Sequence, residues 1–284
     1  MKLRVSAGSA IALGLMSGPL DVAPCITYLM LPGTCEAECS YCTWGRDDYL
    51  SRVRWPEFDI GLLKGVRRYC LQTVEREGME NEMDEVLGSL EGEGDVAIAY
   101  LTQERAEILY KHGVRSVGIG LDACTRALYE KHKPGLSWER AMDSFGYDFS
   151  FFCHVIIGLG ESDEDFLTMS QRMHDQGTRL ALFAYTPVKG KRPVGGVSVE
   201  RYRALQLASY LIEHGTPVED FGIEGGRLVD IPRGFDERAF LTRGCENCNR
   251  PFYNERAGRE PYNFPAERFG SYDIEGEIRR YLRP

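Results

Sequence analysis

Short apolar runs alternate along the chain with segments in which apolar residues recur every three to four positions. The apolar runs predict six β-strands, at 26–31, 69–74, 95–100, 114–121, 149–157 and 179–185. The periodic segments predict helices, near 60–68, 80–90, 102–111, after 125, 162–176 and 199–214. Because a helix follows each strand, the pattern predicts parallel strands joined by right-handed crossovers.

Six such units predict an α/β fold, a partial TIM-type (β/α)6 barrel, over residues 25–216. Residues 1–24 carry a short apolar stretch that glycines interrupt, so we expect a helix that caps the barrel rather than an export signal. Residues 217–284 are rich in Gly, Pro and Arg, and they predict a loop-rich C-terminal extension with a hairpin at 222–229. Catalytic groups in such barrels lie at the C-terminal ends of the strands.

The composition of the 284 residues is that of an ordinary globular protein, with 43% hydrophobic and 27% charged residues. The net charge of -9 gives no electrostatic reason to expect nucleic acid or an anionic membrane as a partner. No apolar run approaches the ~18 residues of a membrane span. Five of the nine cysteines are bunched in two groups, which favours metal chemistry in a reducing, cytoplasmic compartment over disulfide bonds.

Cys35, Cys39 and Cys42 follow the first predicted strand directly. Three thiolates bind three irons of a cubane [4Fe–4S] cluster, and the fourth iron then stays open for a small ligand. A structural zinc ion needs a fourth Cys or His, and the next residues supply none. The spacing Cys-x3-Cys-x2-Cys, with Tyr41 before its last cysteine, resembles the motif of the radical S-adenosylmethionine (SAM) superfamily.

Two further strand ends resemble SAM-binding segments of that superfamily. After the fifth strand, Ile156, Gly158 and Glu161 match a Gly-x-Ile-x-Gly-x-x-Glu pattern that packs the SAM adenine. His154 replaces the first glycine of that pattern. After the fourth strand, Asp122 resembles a contact to the SAM ribose, with capping of the next helix as the alternative role.

The superfamily's Gly-Gly-Glu motif after strand two, which grips the methionyl amine, is missing here. Gln72 and Thr73 occupy that place, and we expect them to hydrogen-bond the methionyl group. The resemblance implies that SAM chelates the open iron through its amine and carboxylate. One electron, from a donor such as ferredoxin or flavodoxin, then splits the S–C5′ bond, and the 5′-deoxyadenosyl radical abstracts a hydrogen from an unactivated carbon.

A second pair, Cys245 and Cys248, lies far beyond the predicted barrel and supplies half of a metal site. Cys25, at the entry to the first strand, joins this pair as a ligand if the tail folds back to that end, and is otherwise a buried residue. A zinc knuckle and a redox pair are the alternatives for the pair itself. Three other cysteines are interpreted as buried apolar residues: Cys70, Cys124 and Cys153.

The tail at 244–256 and 262–265 resembles the two-component type of lipoyl synthase, whose subunits are often labelled biotin-synthase-like. The likeness includes residues 4–6, 55–58 and 186–190. It implies that this chain and a sister radical SAM subunit insert sulfur at C6 or C8 of an octanoyl chain on a lipoyl carrier domain or protein. An auxiliary [4Fe–4S] cluster would donate the sulfur. The N-terminal cysteine motif of the single-chain lipoyl synthase is absent.

Two other functions stay open from the sequence. One is a different radical SAM reaction, namely biotin-synthase-type sulfur insertion, an isomerisation or assembly of a metal cofactor. The other is a non-enzymatic zinc-binding or cluster-storage module, which has no need of the SAM-type motifs. Arg243, Arg250 and Arg256, beside the second pair, are either a solvated face or binding groups for the carboxylate of SAM or of a carrier protein.

Overall fold

Parallel strands form the centre of a sheet in a computed structural model of the protein, which describes residues 1–42, 49–187, 193–232, 234–250, 253–255, 259–265 and 272–283. The described strands are β1 (Lys2–Val5), β2 (Thr27–Met30), β3 (Tyr49–Leu50), β4 (Val53–Arg54), β5 (Glu57–Asp59), β6 (Arg68–Gln72), β7 (Glu93–Ile98), β8 (Ser116–Asp122), β9 (Ser150–Ile157), β10 (Arg179–Ala184), β11 (Gly222–Glu224) and β12 (Arg227–Asp230). The described α-helices are α1 (Ala7–Ala12), α2 (Met79–Ser89), α3 (Gln103–Lys111), α4 (Arg126–His132), α5 (Trp138–Asp143), α6 (Asp163–Asp175), α7 (Val199–Glu213) and α8 (Ile274–Leu282). Single turns of 3-10 helix span Ile60–Leu63, Ser144–Gly146, Val218–Asp220 and Glu237–Phe240.

The main sheet has the strand order β10-β9-β8-β7-β6-β2-β1-β5. Neighbours from β2 to β10 pair in parallel, so the six parallel strands follow one another across the sheet in chain order. At the β2 edge, β1 pairs antiparallel to β2, and β5 pairs antiparallel to β1. The predicted α/β fold, a partial TIM-type barrel with a loop-rich C-terminal extension, is confirmed.

Three short elements differ from the prediction. The predicted N-terminal capping helix is partly a strand, because β1 joins the sheet and only α1 is helical. The helix predicted near 60–68 is one 3-10 turn, so the described connection from β2 to β6 runs through the β3–β4 hairpin and β5. The predicted tail of loops also contains α8. Strands of two to four residues hold too few alternating positions to show in a periodicity analysis.

Hydroxyl side chains begin several of the helices that follow the strands. Thr102 accepts a hydrogen bond from the third backbone N–H of α3, and Thr125 does the same for α4. Ser162 and Asp165 form a reciprocal capping box at the start of α6. Each such cap stabilises its helix by about 1 kcal/mol, and together the caps fix where the strand-to-helix turns lie. Within the described ranges, no helix combines the length and the apolar surface needed to cross a bilayer.

A fully buried arginine on α7 holds the C-terminal extension to the barrel. The Arg203 guanidinium donates to the backbone carbonyl oxygens of Pro261 and Tyr262. Its centre lies 4.4 Å from the centroid of the Phe264 ring, and its Nη2 lies 3.3 Å from the Glu260 carboxylate. The extension therefore surrounds a cation that is removed from water, and backbone carbonyls of the extension are its hydrogen-bond partners.

A buried carboxylate at the start of α6 makes the second connection to the extension. Asp163 accepts hydrogen bonds from the Tyr281 hydroxyl at 2.6 Å and from the backbone N–H of Leu228 at 2.8 Å. It also pairs with Arg201 of α7 at 2.8 Å. One side chain thus joins α6, α7, α8 and β12, which places the extension against the carboxyl end of β9.

Replacing Arg203 with Leu is expected to lower the free energy of unfolding of the apoprotein by about 3 kcal/mol, because the Glu260 carboxylate and two buried carbonyls lose their cation. Urea unfolding followed by far-UV circular dichroism measures this change. Arg238→Leu is the control, since that arginine is exposed and its loss should leave the unfolding midpoint nearly unchanged. Equal midpoints for the two variants would contradict the role of Arg203.

Candidate metal and cofactor site

Two groups of cysteines line one cavity at the carboxyl ends of the parallel strands. The cavity has a volume of about 240 Å³. Cys35, Cys39 and Cys42 reach it from the loop after β2, while Cys245 and Cys248 reach it from the C-terminal extension. The sequence predicts these groups separately, and the fold brings them to the same cavity.

Residues at the strand ends complete the lining. Of the predicted SAM contacts, Gln72 and Thr73 line the cavity at the end of β6, Asp122 at the end of β8 and Ile156 near the end of β9. Tyr41, from the cysteine loop, lines it as well. The carboxyl ends of three parallel strands therefore contribute to the cavity, as the barrel architecture predicts.

The other two residues of the β9 motif, Gly158 and Glu161, lie in the turn behind the cavity. The buried Glu161 carboxylate accepts hydrogen bonds from the backbone N–H of Gly158 at 2.8 Å and of Leu159 at 2.9 Å. It also pairs with Arg201 at 3.0 Å. Gly158 has a φ of +104°, a conformation that a side chain would strain. In this structure both residues shape the turn that positions Ile156.

Asp122 is held by two partners at the end of β8. Its carboxylate accepts hydrogen bonds from the Tyr41 hydroxyl at 2.6 Å and from the Lys133 ammonium at 2.9 Å. Burial alone would raise the pKa of Asp122, but Lys133 and Tyr41 hold that pKa below its usual value. Its backbone is left-handed, with a φ of +64°, which is a strained conformation for a residue other than glycine. The helix after it is capped by Thr125, so Asp122 is not the cap.

Burial favours the protonated thiol at Cys39 and at Cys248 in the apoprotein. It raises the pKa of Cys39, and the nearby Lys133 cation only partly opposes this. The contact with Cys245, together with burial, raises the pKa of Cys248 well above its usual value. Because metals bind thiolates, loading this cavity with metal must release protons.

Cys25, predicted as a possible partner of Cys245 and Cys248, is exposed and is not among the residues that line the cavity. The tail does fold back to it, but through Asn249. The Asn249 side chain accepts a hydrogen bond from the Cys25 backbone N–H at 2.9 Å and donates one to the Ala23 carbonyl at 2.9 Å. The contact therefore fixes the backbone of the strand entry.

The arginines near the second pair have different surroundings. Arg250 lines the cavity, and its guanidinium lies 3.9 Å from the centroid of the Phe183 ring. Arg243 forms an ion pair with Glu213 of α7. Arg256 lies outside the described residues. Of the two arginines that the structure describes, Arg250 is the one that lies at the cavity.

The cavity is also lined by residues that the sequence alone does not place there, namely Tyr28, Cys70 and Glu75. The Tyr28 hydroxyl lies 3.3 Å from the Cys248 sulfur, and Cys70 lies near enough to Cys245 to influence the pKa of its thiol. Tyr28 on β2 and Cys70 on β6 are register partners, so they face the same side of the sheet. Strand register was the missing signal, because a sequence does not show which strands are neighbours.

The three thiolates of the first group fit an iron–sulfur cluster. Within the described ranges, no three His, Cys, Asp or Glu side chains form a group that could hold one metal ion. A cubane cluster takes each thiolate on a different iron, so its ligands stand farther apart than those of a zinc ion. Cys35, Cys39 and Cys42, with no imidazole or fourth cysteine in their loop, match a [4Fe–4S] cluster with one open iron.

Solved structures share this fold, although no protein-family profile and no curated protein matches the sequence. The crystal structure of HydG, a maturase of the [FeFe]-hydrogenase, superposes with a TM-score of 0.51 and 16% identity, over 66% of this chain and 49% of HydG. The crystal structure of SuiB from Streptococcus suis gives a TM-score of 0.50 and 13% identity, over 66% of this chain and 47% of SuiB. The chain thus spans about half the length of each, and at these identities the likeness concerns the fold.

Replacing Lys133 with Met is expected to destabilise the apoprotein by about 3 kcal/mol at pH 7, because the Asp122 carboxylate then stays buried without its cation. In the wild type, the lowered pKa of Asp122 contributes stability above the unfolded value of about 3.9, and this contribution is lost as the pH falls through the folded value. In the variant the pKa of Asp122 rises instead, so its cost disappears as the carboxyl group is protonated.

The loss measured by urea unfolding should therefore be larger at pH 7 than at about pH 4. Lys131→Met, on the exposed side of α4, is the matched control and should cost little at either pH. The same loss at both pH values would contradict the pairing of Asp122 with Lys133.

Proposed function

We propose that this chain is a radical SAM enzyme and one subunit of a two-component lipoyl synthase, which inserts sulfur at C6 or C8 of an octanoyl chain bound to a carrier protein. The observation that carries the proposal is the presence of both cysteine groups at one cavity. A substrate carbon in that cavity would lie near a hydrogen-abstracting group held by the first cysteine group. It would also lie near a sulfur donor held by the second group. Sulfur insertion requires both.

The first group, Cys35, Cys39 and Cys42, would hold a [4Fe–4S] cluster with its open iron available to SAM. When bound, this pair of cofactors supplies a 5′-deoxyadenosyl radical by reductive cleavage of SAM. The chain's part is to bind and orient. Asp122, kept ionised by Lys133, accepts hydrogen bonds from hydroxyl groups such as those of a ribose.

Polar and aromatic groups around the cavity suit radical chemistry. Gln72 and Thr73 offer neutral hydrogen-bonding groups for the amine and carboxylate of an amino acid. Burial and the nearby Arg250 cation lower the pKa of His154 to about 4, so its ring is uncharged at neutral pH. Phe152 and Phe183 line the cavity beside it. Such walls exclude water from the site.

A second cavity, of about 790 Å³, adjoins the first and supports an alkyl substrate. The two cavities share four lining residues, which are Tyr28, Gln72, Arg250 and Tyr253. The volume is within the usual range for a ligand pocket. In the proposed function, an extended chain enters through the second cavity and passes these four residues toward the cysteines.

The lining of this second cavity matches an acyl chain on a carrier protein. Ile11, Leu20 and Trp55 give it apolar walls. Arg52 and Arg54, from the β3–β4 hairpin, line it as well and favour an acidic partner. The sequence resemblance to two-component lipoyl synthases is consistent with this path, and its residues 188–190 lie outside the described part of the chain.

Iron content tests the proposal. After anaerobic reconstitution with iron and sulfide, the wild type should bind about eight irons per chain, and the Cys245→Ala/Cys248→Ala variant about four. The variant should still bind SAM and change its electron paramagnetic resonance spectrum on doing so, because its first cluster is intact. About four irons in both proteins would contradict sulfur insertion and favour another radical SAM reaction. Absence of SAM binding would favour a cluster-storage module.

The acyl path is tested by Leu20→Asp, which puts a charge on an apolar wall at a residue that is 37% exposed and therefore tolerant. The dissociation constant for an octanoyl-lysine peptide, measured by calorimetry, should rise about tenfold or more, since burying methylenes against a carboxylate forfeits over ~1.4 kcal/mol. Leu62→Asp, 58% exposed and outside both cavities, should bind the peptide like the wild type. Unchanged binding by Leu20→Asp would remove the second cavity from the substrate path.

A further inference from the structure

We infer that Cys70 is the third thiolate ligand of the auxiliary cluster, together with Cys245 and Cys248. The inference rests on the proposed function, in which that pair holds a cluster. It replaces Cys25, the candidate from the sequence, whose side chain is exposed outside the cavity.

Proximity of the three cysteines is the first support. The side chains of Cys70 and Cys248 both influence the pKa of the Cys245 thiol, so they lie near it. The sulfur of Cys248 lies 3.3 Å from the Tyr28 hydroxyl, which also accepts a hydrogen bond from the backbone N–H of Arg250 at 3.0 Å. All three cysteines line the cavity, so a cluster bound there would face the substrate.

The strand alternation explains why Cys70 points into the cavity. Along β6, Cys70 and Gln72 line the cavity, while Tyr69 and Leu71 alternate with them and pack in the core. This residue is therefore placed by the backbone of a central strand, which gives a ligand a fixed position.

The neighbours of Cys70 in the sheet register are polar. Tyr28 on β2 and Asp95 on β7 are its partners on either side. The buried Asp95 carboxylate lies near the Cys245 thiol and pairs with Arg68 at 3.1 Å. This polar row distinguishes Cys70 from a plain buried cysteine, which needs only apolar neighbours.

Other buried cysteines provide the contrast. Cys124 and Cys153 are as buried as Cys70, but neither lines the cavity. Cys153 also lies on a central strand, β9, and its sulfur contacts the carbonyl of the next residue at 3.7 Å. Burial in the barrel therefore does not by itself bring a cysteine to the second pair, and Cys153 is a matched control for Cys70.

The test compares Cys70→Ala and Cys70→Ser with Cys153→Ala after anaerobic reconstitution. Both Cys70 variants should fall from about eight irons per chain to about four, while Cys153→Ala should keep about eight. The four irons that remain should show the SAM-dependent change in the electron paramagnetic resonance spectrum, which proves that the barrel is folded. Near-UV circular dichroism of the apoproteins provides a second check of folding.

The outcomes separate this inference from the function on which it rests. About eight irons in either folded Cys70 variant, with about four in Cys245→Ala/Cys248→Ala, would overturn the role of Cys70 and leave the proposed function standing. About four irons in the wild type would overturn both. A loss of iron in Cys153→Ala equal to that in the Cys70 variants would also overturn it, because the effect would then follow from disturbing any buried strand cysteine.

Discussion

The parallel pairing of β2 and β6 through β10 is the constraint on which the candidate site depends. Parallel strands end at the same edge of a sheet, so the residues that follow each strand are brought together however far apart they lie in the chain. The cysteine loop follows β2, Gln72 and Thr73 lie at the carboxyl end of β6, and Asp122 is the last residue of β8. Because each crossover lets the next strand run in the same direction, all of these groups lie at this one edge.

The second cysteine pair reaches this edge for a different reason. It lies on a segment with little regular structure, so its position depends on side chains that tie the extension down. Arg203 holds backbone carbonyls of the extension from inside α7, and Asp163 joins β12 and α8 to the turn after β9. Because these ties are buried and charged, losing either partner leaves an uncompensated group, which makes the position of the extension specific.

The long elements and the cysteine loop could be predicted from the sequence, because their signals are local. Apolar runs of six or more residues gave the six parallel strands, and Thr102, Thr125 and Ser162 marked helix starts correctly. The strands β1 and β5 could not be predicted in this way, because each has only three or four residues and its stability comes from its neighbours.

Strand register also explains why the candidate for the third ligand of the auxiliary cluster is Cys25 from the sequence but Cys70 from the structure. Sequence shows that both lie near a strand, but which side chains share a face and which strands are neighbours are set by the sheet.

A radical formed at the first cysteine group is useful for sulfur insertion only if the same carbon can then reach a sulfur donor. Both groups line one cavity of about 240 Å³, which is the arrangement that the proposed sulfur insertion needs. The same partial barrel without a second group could form the radical but would have to pass the carbon to other chemistry. In the function that we propose, the extension that delivers Cys245 and Cys248, rather than the barrel, therefore decides the reaction.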